Sequence, residues 1–444
     1  MNRRKFLKNS ALISAAGLVL SPNLFSGCKK SGLSDNLSYG GRVLVIGAGA
    51  AGLYAGSLLK ARGIDFTVLE ASGTYGGRMG KVVGFANYPI DTGAKWLHGR
   101  RNIAGDLINE AGTVIVEDNG EPVYWFNDAV VESLPRDLYV FEGNGLPDLS
   151  YWDYAVSRGF GPEYRYLVEA LAGDYGAAAS ELSVYFSNLE ELNWSSGNSD
   201  YKFQQTYFDF IESQFAFQVQ EHLKLNTVVR SIDYSTDQIL VTDASGMEHV
   251  ADKVILTVPI TVLKDADIVF SPPLPSQKTE AFAKIGMGPG MKVFLRFNTR
   301  FYDEYLFGGA LCVAYLDDST GKAVSDNVLL AFVMGEQAAY LDSLESDEAI
   351  TEALLQELDT IYAGQASAAF VNARVENWTR HPYIRGAYSF STVGMGNARS
   401  IAAASVANKL FFAGEAMNLN GHHQTVQGAM ETAEREILNL IENA

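Results

Sequence analysis

Short apolar runs punctuated by glycine open the patterned part of the chain. Val43-Leu44-Val45-Ile46 has four apolar residues in a row, which predicts a short buried strand. Gly47, Gly49 and Gly52 follow at GxGxxG spacing, and residues 50–61 read as a helix. Phe66-Thr67-Val68-Leu69 predicts a second strand ending at Glu70. From residue 101 to about 223 the character changes. Aromatics become frequent, and 162–171 and 201–219 carry apolar residues at helical spacing. The β pattern returns at Leu225, with strands predicted over 228–232 and 238–242 and a buried strand from Val254 that Pro259 stops. Residues 291–297 predict another strand, 347–362 a helix, and Leu410-Phe411-Phe412-Ala413-Gly414-Glu415 a strand running into a turn. The closing stretch, 425–442, places Val426, Ala429, Met430, Ala433, Ile437 and Ile441 on one helical face. No internal repeat is visible. The pattern predicts an α/β fold. A doubly wound nucleotide-binding domain (42–100, 225–275 and 391–444) is opened by two insertions (101–224 and 276–390), which form an interleaved domain of mixed sheet and helices.

Composition adds constraints. A chain of 444 residues with 47% hydrophobic and 11% aromatic content can build two cores. The net charge of −18 repels nucleic acid and is compatible with a cationic small-molecule partner. The first residues read as an address rather than as fold. Arg3-Arg4-Lys5-Phe6-Leu7-Lys8 has a twin-arginine pattern, 10–20 is apolar, and Leu24-Phe25-Ser26-Gly27-Cys28 is lipobox-like. The expectation is an export signal over 1–28 and a polar tether over 29–41, with the mature chain periplasmic or held to a membrane by lipid on Cys28. Twin-arginine export carries folded proteins, so a cofactor would be bound first. No later stretch is apolar enough to span a bilayer. Cys28 and Cys312 are the only cysteines, so a lipidated Cys28 leaves no intramolecular disulfide.

The chemistry begins at the glycines. Gly47 allows the tight turn, Gly49 lets the backbone approach a pyrophosphate, and Gly52 lets the helix pack close to the strand. Ala51 lies in the first helical turn, whose free N–H groups and positive dipole end favour phosphate. Glu70 stands where a carboxylate accepts from both ribose hydroxyls, which favours FAD or NAD over a phosphorylated ribose. Gly76-Gly77-Arg78 adds a second backbone approach and a guanidinium. His422-His423 has no companion ligand pattern, so no metal is expected.

Taken together, these blocks resemble the flavin-containing amine oxidases: monoamine oxidases, polyamine oxidases and lysine-specific histone demethylases. The resemblance runs through Asp91-Thr92-Gly93-Ala94-Lys95-Trp96-Leu97-His98-Gly99, Val229, Val254 to Pro259 and Lys292. It continues through Trp378 to Tyr388, Gly414-Glu415 and Thr425-Val426-Gln427-Gly428-Ala429. It implies a Rossmann-like FAD domain with noncovalent FAD, because Ala387 stands where monoamine oxidases carry the flavin-linking cysteine. It implies Val229 beside the adenine, Glu415 beside the ribityl-phosphate part and Val426 aiming backbone N–H groups at the flavin O2/N1 edge. It further implies that Lys292 holds a water against flavin N5 and that His98 faces the active site. Tyr388 forms one wall of an amine cage whose opposite wall is only Thr425, and Trp378 packs near the flavin or in the core.

The implied reaction is oxidation of a primary or secondary amine, polyamine-like rather than narrowly aromatic. Hydride passes to N5, and O2 reoxidises the flavin to give H2O2. The reacting amine must be neutral, so activity should rise toward alkaline pH. Three alternatives stay open at this point. Arg100 or Arg101 could grip the carboxylate of an L-amino acid, the enzyme could be an FAD-dependent dehydrogenase or desaturase, or the chain could be a flavin-binding lipoprotein without catalysis.

Overall fold

In a computed structural model, residues 39–443 are described. The twin-arginine segment, Cys28 and most of the tether lie outside them. Strand β1 (Val43–Ile46) is buried throughout and lies in the middle of a five-stranded parallel sheet. Helix α1 (Ala50–Ala61) returns the chain to β2 (Phe66–Leu69) on one side of β1. The edge strand beyond β2 is β3 (Leu223–Lys224); on the other side of β1 lie β4 (Lys253–Leu256) and β5 (Leu410–Phe412). The order β3-β2-β1-β4-β5 reverses direction at β1, so a crevice opens past the carboxyl ends of β1 and β4. Helix α2 (Val426–Glu442) packs against α1 and covers the same face of the sheet.

A seven-stranded mixed sheet forms the second layer. Its order is Phe370–Asn377, Gly290–Phe297, Asn327–Met334, Ala314–Asp317, Tyr305–Phe307, Pro122–Phe126 and Ala129–Val131. Residues from both insertions therefore share one sheet. Gly290–Phe297 pairs along its length with Asn327–Met334, and from Met291 on with Phe370–Asn377, where the register shifts between Arg296 and Phe297. Met291, Val293 and Leu295 face one core and Phe294 faces the other.

The structure redraws several sequence expectations. The stretch 201–219 is not helical throughout. Asp200–Phe203 is a strand between Trp96–His98 and Ile115–Glu117. The helix starts only at Tyr207, because Thr206 and Asp209 form a reciprocal cap that ends it there. It runs on through a π-turn, Glu212–Ala216. The expected substrate segment 101–224 also divides differently. Ala104, Ile108 and the residues Phe203 to Val219 share a core with α1 and α2, and β3 pairs with β2. Pro259 does not stop the strand from Val254. β4 ends at Leu256, where the Thr257 hydroxyl bonds to the Ile46 carbonyl, and Pro259 opens the short helix Ile260–Lys264. The 162–171 helix is a 3-10 turn, Pro162–Tyr164, followed by Arg165–Asp174. No described helix is long and apolar enough to cross a membrane.

Candidate active site

The crevice at β1 and β4 opens into a cavity of about 650 Å³, within the ordinary range for small-molecule sites. Gly47 turns the chain at φ +105°, and Gly52 sits directly beneath it. A Cβ on Gly52 would lie 1.9 Å from the Gly47 carbonyl oxygen. Gly52 therefore faces that turn rather than the cavity, and it serves the close helix–strand packing expected of it. Gly49 and Gly77 face one another so closely that a Cβ on Gly77 would lie 3.2 Å from the Gly49 Cα. Gly49 is also the N-cap of α1, and no side chain caps that helix. Its first N–H groups lie at the cavity wall with Gly49, Ala50 and Ala51. Nearby, Glu70 is buried and accepts from the N–H groups of Ala48 (2.6 Å) and Ser72 (2.8 Å). A bare glycine cradle, an uncapped helix start and a buried carboxylate at the next strand's end fit a dinucleotide. Such an arrangement has the close backbone approach, the free helix N–H groups and the carboxylate that a dinucleotide site uses.

Further along the wall, Glu415 gathers four donors. Arg78 Nη1 lies at 2.8 Å, the Ser389 hydroxyl at 2.7 Å, the Ser389 N–H at 3.2 Å and the Gln424 N–H at 3.0 Å. Burial pushes this carboxyl up, but Arg78, the Ser389 hydroxyl and Arg399 outweigh it and hold it down at about 2. A depressed folded-state pKa means that its stabilisation is complete above the ordinary glutamate range and is lost as pH falls. The Glu415 contribution should be about 3 kcal/mol, lost roughly between pH 5 and pH 2. Thermal melts of the wild type and Glu415→Gln across that interval test this. The wild type should lose stability more steeply, and parallel curves would refute it.

Lys292 projects from the rigid strand Gly290–Phe297 to the same cavity, 4% exposed, and its amine donates to the Gly93 carbonyl. The amine lies 5.3 Å from the centre of the Trp96 ring. Asp118 orients that ring through the indole N–H (2.7 Å), and Phe332 meets it edge-on. Burial pushes the Lys292 amine well below the usual lysine range, and the nearby Lys95 pushes it the same way; Asp91 and Asp318 oppose this.

Trp378 stands on the cavity wall with its indole N–H on the Thr92 carbonyl (3.0 Å). Tyr388 lies against Gly176, where a Cβ would come within 2.6 Å of its ring, and its hydroxyl donates to the Asp174 carbonyl (3.2 Å). His98 lines the cavity with Nδ1 2.9 Å from the Asp200 carboxylate. Val229, Gly414 and Val426 complete the wall at the residues the sequence marked. Thr425 caps α2 by accepting from the Gly428 N–H (3.0 Å), so cap and cavity wall coincide there.

Some functional neighbours escaped the sequence reading. They are Asp200 behind His98, the Lys95–Asp318 ion pair, and Gln424. Gln424 sits at φ +70° and ties the carbonyls of Tyr175 and Ser389 together. Only a left-handed residue before the Thr425 cap would have pointed to Gln424. Arg100 and Arg101 do not line the cavity. Arg100 reaches Asn109 (2.8 Å) and stacks on Tyr201.

A parallel sheet with a crossover at β1, a glycine cradle at its carboxyl edge and a buried lysine on an inserted sheet fit a flavin-binding oxidoreductase. The model of the flavin containing amine oxidoreductase family matches residues 50–217 and 140–436, and the chain belongs to that family. The chain is 29% identical to lysine-specific histone demethylase 1B of Mus musculus over 478 residues, 98% of this chain and 55% of that protein. It is 28% identical to probable polyamine oxidase 4 of Arabidopsis thaliana over 436 residues, 87% of this chain and 84% of that one. The chain thus spans about half the length of the demethylase relatives. In fold it matches putrescine oxidase bound to putrescine at a TM-score of 0.78 and 20% identity, covering 91% of this chain and 100% of that one. FAD is the cofactor that this family and this cradle imply.

Proposed function

We propose that this chain is an FAD-dependent oxidase of primary or secondary amines, polyamine-like amines foremost, with O2 as electron acceptor and H2O2 as product. When bound, FAD supplies the hydride acceptor and passes two electrons to oxygen. The observation that carries the reading is the convergence of Lys292, Trp378, Tyr388 and His98 on the cavity that also holds the glycine cradle. Tyr388 and Trp378 offer aromatic surface at the cavity wall and Thr425 only a small side chain, which suits a slender aliphatic amine. His98, aligned by Asp200, presents a ring nitrogen at the cavity wall for a proton or hydrogen bond. The buried Lys292 can exchange a proton with a water beside it. The amino-acid oxidase alternative loses its main support, because neither Arg100 nor Arg101 reaches the cavity wall.

The test is anaerobic bleaching of the bound flavin by polyamines, monoamines and L-amino acids, followed by admission of oxygen and assay of peroxide. Bleaching by a polyamine with peroxide on reoxidation is the expected result. Bleaching without peroxide would replace oxygen with another acceptor. If no amine bleaches the flavin, the proposal is wrong.

A further inference from the structure

Beside Lys292 lies a second buried lysine that this reaction does not yet use. Lys95, in the segment Asp91 to Gly99, is 2% exposed and lines the cavity. Its ammonium is clamped by the Asp318 carboxylate and lies 3.3 Å from the Asp318 carbonyl. Both members of this pair are 1% exposed in their side chains. The Lys95 amine is 5.4 Å from the centre of the Trp96 ring, and that of Lys292 is 5.3 Å from the same ring. Two buried lysine side chains therefore share one indole at the wall of one cavity.

We propose that Lys95, locked to Asp318, is a positioning residue that disfavours the ammonium form of Lys292 at the cavity wall. A like charge in a region of low dielectric disfavours a second ammonium nearby, and the ion pair keeps Lys95 itself charged. The groups facing Lys292 are Lys95 and Lys322 with positive charge and Asp91 and Asp318 as acids. Across the strand its neighbours are Phe332 and Glu376, the latter paired with Arg374 at 2.5 Å. Asp91 accepts from the Tyr207 N–H (2.9 Å), and burial drives its carboxyl up, toward the neutral form. Lys95 and Lys322 disfavour the Lys292 ammonium, and Asp91 and Asp318 favour it. The Lys292 amine donates one hydrogen to the Gly93 carbonyl, and in its neutral form it can accept a proton from water or substrate. What that acceptance accomplishes rests on the amine-oxidase reading; the protonation state itself does not.

The experiment is a pH titration of the ¹³Cε signal of Lys292 in lysine-labelled protein as purified, assigned by its loss in Lys292→Met. Lys95→Met should raise the midpoint by about one pH unit or more. Lys95→Arg keeps the cation and should leave the midpoint at the wild-type value. Because Lys95→Met strands a buried carboxylate, the double variant Lys95→Met with Asp318→Asn removes the whole pair, an exchange that proteins often tolerate. Because Asp318 favours the Lys292 ammonium, removing it along with Lys95 should leave a rise that is smaller than in Lys95→Met. An unchanged or lowered midpoint in the folded double variant would overturn the proposal, as would a rise in Lys95→Arg equal to that in Lys95→Met. The readout needs no turnover, so failure of the oxidase reading would appear in the bleaching assay and not here.

Discussion

Replacing Lys292 by Met is expected to cut amine-dependent peroxide formation by roughly 100- to 10,000-fold while FAD stays bound. Methionine keeps an unbranched apolar stem of similar reach, so the strand Gly290–Phe297 and its two neighbours should hold their register. The glycine cradle and Glu70 belong to the other layer and are untouched. Only a proton-exchanging amine at the cavity wall disappears. Rapid-mixing measurements of flavin reduction and of reoxidation would locate the loss. A variant that binds FAD and turns over at the wild-type rate would remove Lys292 from the chemistry.

The second large effect is expected from a single methyl group. Gly52→Ala places a Cβ 1.9 Å from the Gly47 carbonyl oxygen and 2.9 Å from the Thr257 hydroxyl. Neither contact can relax cheaply. The carbonyl belongs to the turn itself, and Thr257 is bonded to the carbonyls of Ile46 and Gly47 at 2.9 and 3.0 Å. The helix must withdraw from the strand, which opens the packing of α1 and shifts the N–H groups at its start. Destabilisation of roughly 4 kcal/mol or more is expected, together with purification of the protein as a colourless apo form. Melting temperature and the flavin absorbance of the purified variant check both. Near-wild-type stability with full flavin content would show that the turn has slack that this geometry denies it.

The two halves of the molecule differ in how openly the sequence shows them. The nucleotide half is written in local signals: β1, the glycines, α1, β2 and Glu70 follow one another within a short stretch, and each constrains the next. The closing helix is equally plain from its apolar face. Between residues 101 and 223 the identity of an element depends on distant partners. Asp200–Phe203 has aromatics that suit either a helix or a strand, and only its pairing with Trp96–His98 decides the matter. Lys292 is a similar case. Its strand is covered on both faces, so alternation of apolar residues could not say which side the amine takes. The partnerships that shape the site are long-range. His98 meets Asp200 across 102 residues of sequence, and Lys95 meets Asp318 across 223. Such pairs have no spacing to read, because the fold creates the proximity.

The packing of α2 on α1 has a consequence in time. The helix that starts the nucleotide fold and the helix that covers it stand at opposite ends of the described chain. During synthesis β1, α1 and β2 emerge well before Glu415, Gln424 and the α2 cap. Until then α1 keeps an uncovered apolar face, and the cavity lacks one wall. Cofactor capture therefore waits for residues beyond 425, and nascent or truncated chains lacking them would be substrates for chaperones and proteases rather than partially active enzymes.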